Sequence, residues 1–483
     1  MNIALHATRM GFPRLAEDTI QRAHLIGIAG CGMRALAELL LTRGWRLTGS
    51  DLDPSGAAWL AEAGVRLDAG HAAEHVPPDA NLVIYSDAVP EDNCERRRAT
   101  ELGLSQRSYP SMLGDLMERG FGLAVAGTHG KSTTTAMAAE ILDVAGFSPS
   151  VVAGGTPLGR NSGGRRGRGQ FVLVEACEYR SNFLRLTPRT AVILGIEPDH
   201  FDCFPSRGSL EAAFAAFVRR VPADGLLLAQ ASCAATRRVL AGATCRIATF
   251  GLETDADWRA KILRGVRGRY DFKITRRGRS LGEVALAVAG RHQVVNALAA
   301  AALAGESGAS GRDIVRGLSQ FAGLRRRFER VGIEAVGIEA DIVLLDDYAH
   351  HPSEIAATLA TVREAYPGRR VWCVFQPHQA SRTRFLLEEL AASLRDADRV
   401  AVTEVFPARE AASESDLRLA AELASRVRAR GGMVLTAHDT NGILEHVSAA
   451  LNPGDLLITL GAGDIRKVCD AFARRLRTYR AAI

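Results

Sequence analysis

A glycine-rich loop that could hold a nucleotide phosphate occupies residues 127–135, with the sequence GTHGKSTTT. It follows an apolar run, 122–126, and precedes a helical stretch, 136–144, in the strand, loop, helix order of phosphate loops. In that order backbone N–H groups and the positive helix end face an anion, a lysine adds a cation, and the next hydroxyl can ligate magnesium. The match to G-x-x-x-x-G-K-[ST] is partial, because Val125 replaces the first glycine, and a glycine turn without ligand is the alternative. The loop residues predicted to bind phosphate or metal are Gly127, Thr128, Gly130, Lys131, Ser132 and Thr133.

Acidic and imidazole side chains follow two further apolar runs, 171–174 and 191–196. Glu175 ends the first run, and His200 comes shortly after the second. If these strands lie parallel to the strand before the loop, their carboxyl ends meet at one edge of the sheet, where α/β proteins bind ligands. We therefore predict that Ser132, Glu175 and His200 surround one site. The structural alternatives are a helix-capping carboxylate for Glu175 and a hydrogen-bonded core histidine for His200.

The elements that position these residues predict an α/β protein with three domains. A chain of 483 residues is too long for one hydrophobic core and suggests roughly three units. Apolar runs alternate with helical stretches, which predicts a Rossmann-like N-terminal domain, a central phosphate-loop domain with a parallel sheet and an added β-hairpin at 270–288, and a Rossmann-like C-terminal domain. The predicted boundaries are an N-terminal extension at 1–22 and domains at 23–118, 119–328 and 329–483.

Composition narrows the class of protein. No apolar run approaches the ~20 residues of a membrane span, and 1–22 lacks the apolar core of a secretory signal. The eight cysteines form no C-x-x-C pair, which argues against a zinc ribbon or a disulfide framework. The net charge of +6 suits small anionic substrates as well as nucleic acid, but the basic stretch 160–168 has no aromatic residue to stack bases. We expect a cytoplasmic protein with small-molecule partners, without nucleic acid binding or membrane insertion; the oligomeric state stays open.

Seven motifs, taken in order along nearly the whole chain, resemble those of the Mur ligases. They are GTHGKS at 127–132, EACE at 175–178, EPDHFD at 197–202, GRHQVVN at 290–296, GLRRRF at 323–328, DDYAHHP at 346–352 and QPH at 376–378. The resemblance is strongest to the branch that adds L-alanine. It implies that ATP and Mg²⁺ are used to activate the lactyl carboxylate of UDP-N-acetylmuramate as an acyl phosphate, which the amine of L-alanine attacks during peptidoglycan precursor synthesis.

The resemblance also implies roles for residues of all three domains. The expected catalytic residues are Lys131, Glu175, His200, His350 and Arg382, and the expected metal ligands are Ser132, Glu175 and His200. Residues expected near the nucleotide, besides the phosphate loop, are His292, Asn296, Arg327 and Asp347. Residues expected to bind the UDP-sugar are Gly30, Cys31, Gly32, Ser50, Asp51, His71 and Ser86. Tyr348 is expected near the amino acid with His350 and Arg382, although His350 and His351 adjoin and the sequence does not decide which faces the site.

Several alternatives stay open on the sequence alone. Related ligases carry a lysine after the D-H-x-D segment, and residues 201–220 contain none, which resembles the L-alanine-adding branch. Departures from the family pattern are Ala29 for glycine, Cys177 for aspartate, Gln293 for asparagine and Gln379 for arginine. The alternatives are a ligase that attaches a whole tripeptide, an NAD-dependent oxidoreductase suggested by G-x-A-x-x-G at 27–32, and a non-catalytic nucleotide-binding scaffold.

Overall fold

A computed structural model describes residues 21–252, 255–331, 342–410, 414–436 and 440–481. In this part of the chain three sheets of five, ten and six strands are built mainly from parallel strands, and they confirm the predicted three-domain α/β class. The predicted extension, 1–22, lies outside the described residues apart from its last two. We keep the predicted domain boundaries as a proposal; the first sheet ends at Ser108, the second spans Phe121–Ala285, and the third begins at Glu329.

The N-terminal domain is a five-stranded parallel sheet in the order β3-β2-β1-β4-β5. Its strands are Arg22–Ile26 (β1), Arg46–Asp51 (β2), Arg66–Ala69 (β3), Leu82–Tyr85 (β4) and Ser105–Ser108 (β5), and its helices are Cys31–Thr42 (α1), Ala58–Glu62 (α2), Cys94–Glu101 (α3) and Tyr109–Glu118 (α4). The sequence predicts β1, β2 and β4 from the apolar runs that begin at residue 25 and span 45–50 and 82–86, but it does not predict β3 and β5. These two are edge strands with polar sequences, so they lack the apolar run that marks a buried strand.

The central domain has a ten-stranded sheet in the order β15-β14-β13-β12-β11-β10-β6-β9-β7-β8. Its strands are Phe121–Ala126 (β6), Ser150–Ala153 (β7), Gly163–Arg165 (β8), Phe171–Glu175 (β9), Thr190–Ile193 (β10), Leu226–Gln230 (β11), Arg246–Gly251 (β12), Trp258–Val266 (β13), Arg269–Arg276 (β14) and Arg279–Ala285 (β15). Its helices are Lys131–Val144 (α5), Arg207–Val218 (α6), Ala234–Val239 (α7), Arg291–Glu306 (α8) and Gly311–Gln320 (α9). Strands β6, β9 and β10 are parallel neighbours, so their carboxyl ends share one edge, as predicted.

Two predicted elements of the central domain differ in extent from the structure. Helix α5 begins at Lys131 and not at residue 136, because burial of the Ser-Thr-Thr-Thr segment against the sheet outweighs its weak helix propensity. The hairpin predicted at 270–288 ends earlier in the structure, because its second strand is β15, Arg279–Ala285. Its turn is tight because Arg277 and Gly278 both adopt positive φ.

The C-terminal domain is a six-stranded sheet in the order β16-β17-β21-β18-β19-β20, in which only β16 is antiparallel among the described strands. Its strands are Glu329–Arg330 (β16), Val343–Asp347 (β17), Val371–Phe375 (β18), Arg399–Val402 (β19), Val434–Thr436 (β20) and Leu456–Leu460 (β21). Its helices are Pro352–Ala365 (α10), Ala380–Phe385 (α11), Leu387–Ser393 (α12), Glu414–Ala429 (α13), Thr440–Ala450 (α14) and Arg466–Ala481 (α15). Each described helix of the protein is too short or too polar to cross a membrane.

Candidate active site between the central and C-terminal domains

The phosphate loop requires glycine at both of its glycine positions. Gly127 and Gly130 have φ values of +136° and +80°, which L side chains rarely adopt. A Cβ on Gly127 would lie 2.5 Å from Leu194 Cβ, and one on Gly130 would lie 2.3 Å from Asn296 Oδ1. Helix α5 follows directly, so its first N–H groups open toward the space above the loop. The loop therefore has the backbone of an anion cradle.

Lys131 is held at the mouth of the loop by the loop itself and by Glu178. Its Nζ donates to the carbonyl oxygens of Gly127 at 2.6 Å and Thr128 at 2.9 Å, and it lies 2.9 Å from Glu178 Oε2. Burial alone would raise the pKa of Glu178, but the Lys131 ammonium outweighs it and holds that pKa below its usual range. Burial also opposes the charge on Lys131, yet Glu178 raises the pKa of Lys131 above its ordinary value. The ammonium is thus charged and within reach of an anion in the loop.

Two of the three predicted metal ligands are in direct contact, and the third is on the same side of the loop. Ser132 Oγ lies 3.0 Å from each carboxylate oxygen of Glu175, which also accepts a 2.9 Å hydrogen bond from Gly154 N. His200 Nε2 lies 3.4 Å from Glu178 Oε1, and its Nδ1 is buried without a hydrogen-bond partner. The Ser132 hydroxyl and the Glu175 carboxylate are oxygen ligands of the kind that Mg²⁺ prefers. This pair fits magnesium, whereas the carboxylate that His200 contacts is Glu178.

The residues predicted near the nucleotide line one cavity of about 260 Å³ between the two domains. Its predicted lining residues are Gly130, Thr133, His292, Asn296, Arg327 and Asp347. Burial lowers the pKa of His292 to about 4, so the imidazole is neutral at pH 7. Burial raises the pKa of Asp347 to about 6, although its carboxylate accepts hydrogen bonds from Phe328 N and Ala349 N. The cavity is therefore lined by a neutral imidazole and amides together with the charged side chains of Arg327, Glu197 and Glu354.

Arg382 joins the C-terminal domain to the carboxyl end of β10. Its side chain is 2% exposed, and Nε donates to Asp199 Oδ1 at 2.7 Å. Burial would raise the pKa of Asp199, but the Arg382 charge holds it well below its ordinary value. Arg382 Nη1 lies 2.9 Å from His378 Nδ1, and burial lowers the pKa of His378 to about 2. The guanidinium is therefore surrounded by a carboxylate and a neutral imidazole.

The structure separates the two adjacent histidines. The His350 ring lies 5.7 Å from the His378 ring, and burial lowers the pKa of His350 to about 4. His351 instead caps helix α10 and donates from Nε2 to Pro198 O at 3.2 Å. The ring of Tyr348, predicted near the amino acid, lies 5.0 Å from the Arg327 guanidinium. His350 is thus the histidine near Arg382, and His351 faces the central domain.

The predicted UDP-sugar residues gather after strands β1, β2, β3 and β4. They are Gly30, Cys31 and Gly32 after β1, Ser50 and Asp51 at the end of β2, His71 after β3, and Ser86 after β4. Asp51 accepts from Ala29 N at 2.9 Å, and Ser50 Oγ donates to Glu95 at 2.5 Å. Cys31 Sγ lies 3.4 Å from where a Cβ on Gly154 would stand. The glycine turn of the first domain therefore approaches Glu175, whose carboxylate binds Gly154 N.

Sequence reasoning missed several acidic and imidazole residues that hold the predicted ones. They are Glu95 beside Ser50, His129 in the phosphate loop, Glu178 beside Lys131, Glu197 and Asp199 after β10, and Glu354 at the start of α10. Most lie inside the quoted motifs, within three residues of a predicted site residue. Position in a motif could have drawn attention to them, but nothing in the sequence indicates which partner each one contacts.

Three family models match the chain in succession. The Mur ligase family catalytic domain matches residues 22–120, the Mur ligase middle domain 125–304, and the Mur ligase glutamate ligase domain 326–463. The UDP-N-acetylmuramate–L-alanine ligase of Acetivibrio thermocellus is 38% identical over 95% of this chain and 97% of that protein. The chain belongs to the Mur ligase family. This Mur ligase is therefore an enzyme, an ATP-dependent ligase, which confirms the predicted class.

Further relatives agree with this assignment. The UDP-N-acetylmuramate–L-alanine ligase of Salinibacter ruber is 40% identical to this Mur ligase, over 95% of this chain and 96% of the relative. The crystal structure of the UDP-N-acetylmuramate–alanine ligase of Thermotoga maritima superposes with a TM-score of 0.80 at 26% identity, covering 95% of this chain and 99% of that one. The similarity extends over all three domains.

Proposed function

We propose that this Mur ligase joins L-alanine to the lactyl carboxylate of UDP-N-acetylmuramate, with ATP converted to ADP and phosphate, in peptidoglycan precursor synthesis. The observation that carries the proposal is the identity of 38–40% over 95% of the chain to proteins named for this reaction. The geometry adds support, since a phosphate loop, a carboxylate pair and a buried guanidinium converge between the domains.

The carboxylate must be activated, because its leaving group in a direct attack would be oxide. Phosphorylation by ATP forms an acyl phosphate, whose phosphate leaves when the amine attacks. Both partners in the first step are anions, so the site must concentrate positive charge. We assign this to Lys131 and to the loop amides of Gly127–Ser132, with Arg327 at the cavity wall. His292, Asn296 and Asp347 are assigned to the adenosine part.

We assign magnesium to Ser132 and Glu175, with His200 beside them. When bound, the metal neutralises charge on the phosphate oxygens. Gly154 N donates to the Glu175 carboxylate, and the Ser132 hydroxyl lies within hydrogen-bonding distance of both carboxylate oxygens. Ser132 and Glu175 are therefore oriented before any ligand binds. His200 Nε2 faces Glu178, which also neutralises Lys131. These contacts hold Lys131, Glu178 and His200 at fixed positions around the loop.

The amino acid is assigned to the pocket of Arg382, His350 and Tyr348. A guanidinium pairs well with a carboxylate, so we propose that the L-alanine carboxylate competes with Asp199 for Arg382. Because burial keeps the pKa of His350 near 4, this imidazole is a weak base at pH 7, and we assign it to orienting the amine by hydrogen bonding. On the other side, Gly30, Cys31, Gly32, Ser50, Asp51, His71 and Ser86 are assigned to the UDP-sugar.

A turnover panel tests the substrate. Phosphate release is measured with ATP, Mg²⁺ and UDP-N-acetylmuramate, adding L-alanine, glycine, L-serine, D-glutamate or the tripeptide L-Ala-D-Glu-meso-diaminopimelate. We expect the highest kcat/KM with L-alanine. No release with L-alanine but turnover of the tripeptide would identify the peptide-attaching ligase instead, and release with none of them would reject the ligase assignment for these substrates.

Replacement of Lys131, the cation of the phosphate loop, tests the proposed phosphoryl transfer. Lys131→Ala should lower kcat at least ~10³-fold, because charge on the transferred phosphoryl group loses its cation. The exposed Lys261→Ala is the matched control and should keep wild-type turnover. Dialysis against a chelator should abolish turnover and added Mg²⁺ should restore it. We also propose a cytoplasmic location, which cell fractionation tests by the compartment in which ligase activity is recovered.

A further inference from the structure

Two imidazoles and a carboxylate converge at the junction of the central and C-terminal domains. His129 belongs to the phosphate loop, Glu197 follows strand β10, and His351 precedes helix α10. Their potential ligand atoms all lie within 4.8 Å of one another. Glu197 Oε2 is 3.7 Å from His129 Nε2 and 3.6 Å from His351 Nδ1. None of the three side chains is assigned a role in the proposed reaction.

The outer nitrogen of each imidazole is bound by an acceptor, which turns the inner nitrogen toward Glu197. His129 Nδ1 lies 3.1 Å from Glu354 Oε1, while its Nε2 is buried without a hydrogen-bond partner. His351 Nε2 donates to Pro198 O at 3.2 Å, which leaves the lone pair on Nδ1. Metal-ligating histidines have this arrangement, with a carboxylate or backbone carbonyl holding the other nitrogen. Two contacts from Ser353 compete for the proposed ligand atoms: a long 3.3 Å cap bond from its N–H to His351 Nδ1, and a hydrogen bond from its Oγ to Glu197 Oε2.

We propose that His129, Glu197 and His351 form a site for a transition metal such as Zn²⁺, separate from the magnesium ligands. Two imidazoles and one carboxylate are a three-ligand set typical of zinc, whereas Mg²⁺ prefers oxygen. Bonds of about 2.0 Å in a tetrahedral complex place donor atoms about 3.3 Å apart. The two separations from Glu197, 3.6 and 3.7 Å, therefore need shifts of a few tenths of an ångström, and the two imidazole nitrogens lie within 4.8 Å of each other before any ion is bound.

The site joins two domains and opens on the nucleotide cavity. His129 and Glu197 come from the central domain and line that cavity, and His351 comes from the C-terminal domain. The fourth position of a tetrahedral ion is left to a water molecule from the cavity. A bound ion replaces the proton that His129 shares with the carboxylates and ties the two domains together. Metal binding should therefore favour the arrangement of the structure, in which the central and C-terminal domains are in contact.

Cobalt provides the test, because tetrahedral Co²⁺ has visible absorption that octahedral Co²⁺ largely lacks. The full-length protein is titrated with Co²⁺ in the absence of nucleotide, and Zn²⁺ is then added as competitor. We expect one tetrahedral Co²⁺ per chain, displaced by Zn²⁺. His129→Gln, Glu197→Gln and His351→Asn should each weaken binding at least ~10-fold; asparagine keeps the helix cap. Circular dichroism of each metal-free variant identifies those that fold.

Three control variants separate this site from others. Ser132→Ala and Glu175→Gln remove proposed magnesium ligands, and His446→Gln removes an exposed histidine elsewhere; all three should bind Co²⁺ within about twofold of wild type. Wild-type affinity in any folded variant of His129 or His351 would overturn the proposal. Equal weakening by Ser132→Ala and Glu175→Gln would also overturn it, since the ion would then occupy the magnesium position.

Discussion

The central domain meets its two neighbours through different chemistry. With the N-terminal domain it shares one apolar core, in which residues of helix α1, including Met33 and Leu36, belong to the same cluster as Val152 and Val174 of the central sheet. The backbones approach so closely that a Cβ on Gly164 would lie 1.9 Å from Ala35 O. Apolar burial of this kind is not reversible at low cost, because separation would expose the core to water.

With the C-terminal domain the contacts are mostly charged or polar. Arg382 pairs with Asp199, His129 with Glu354, and Tyr270 with Glu364. The described apolar clusters of the C-terminal domain contain no residue from before position 328. Polar groups can exchange protein partners for water or ligand, so this contact suits domain motion and ligand entry. The cavity and the unpartnered imidazole nitrogens lie here.

The largest effect should come from breaking the charged contact. Arg382→Ala removes the proposed carboxylate ligand and leaves Asp199 buried without its partner, so kcat/KM for L-alanine should fall about 10³-fold. Arg384→Ala, on the exposed side of the same short helix, is the control. Asp199→Ala in the Arg382→Ala background should lose less than the two single effects together, because each single change removes the same pair. Strict additivity would contradict the pairing.

Breaking the apolar contact should instead affect folding. Gly164→Ala places a methyl group against the Ala35 backbone, which cannot rotate away, and should cost about 3 kcal/mol in the free energy of unfolding. Urea denaturation measures this. Gly208→Ala is the matched control, because a Cβ there meets nothing closer than Ser206 Oγ at 3.8 Å and lies in a helix. A loss below about 0.5 kcal/mol would contradict the rigid contact.

The N-terminal domain, which shares an apolar core with the central domain, should lose stability in acid. Burial would raise the pKa of Glu95, but hydrogen bonds from His24 and Ser50 lower it to about 2, below the ordinary 4.5. Because the pKa of Glu95 is lower in the folded protein, its carboxylate stabilises the fold at pH values above about 4.5. This stabilisation is lost as the pH falls toward 2. Glu95→Gln should cost about 2 kcal/mol at pH 7, and its difference from wild type should shrink between pH 4.5 and 3. A constant difference in urea melts over that range would argue against an ionised Glu95.

The charged contact should respond to pH in the opposite direction, with a smaller effect. Burial opposes charge on His129, but Glu354 and Glu197 raise its pKa to about 9. Because the pKa of His129 is higher in the folded protein, its protonated ring stabilises the fold at pH values below about 6.5. This stabilisation is lost as the pH rises through 9. Thermal melts from pH 7 to 9.5 should show a loss on the order of 1 kcal/mol that His129→Gln lacks. Parallel curves for both proteins would show that the charge on His129 does not contribute to the free energy of unfolding over this pH range.

Several elements were predictable because they depend on local pattern. Strands β6 and β9 contain continuous buried apolar runs, and the predicted runs, 122–126 and 171–174, match these strands within one residue. The edge strands β3 and β5 were missed, since half-exposed strands need no apolar run. The helix after the phosphate loop was predicted to begin five residues late, since the weak helix propensity of its buried Ser-Thr-Thr-Thr segment does not predict a helix.

Residue types and their spacing were enough to predict the α/β class, the phosphate loop and the order in which polar residues follow the strands, because glycine geometry and apolar runs act over a few neighbouring residues. The folded structure is needed to see that His350 faces Arg382 while His351 faces Glu197, and that Glu178 is the shared partner of Lys131 and His200. These pairings join residues far apart in the chain. They depend on how whole domains pack, and residue type and spacing carry no information about that.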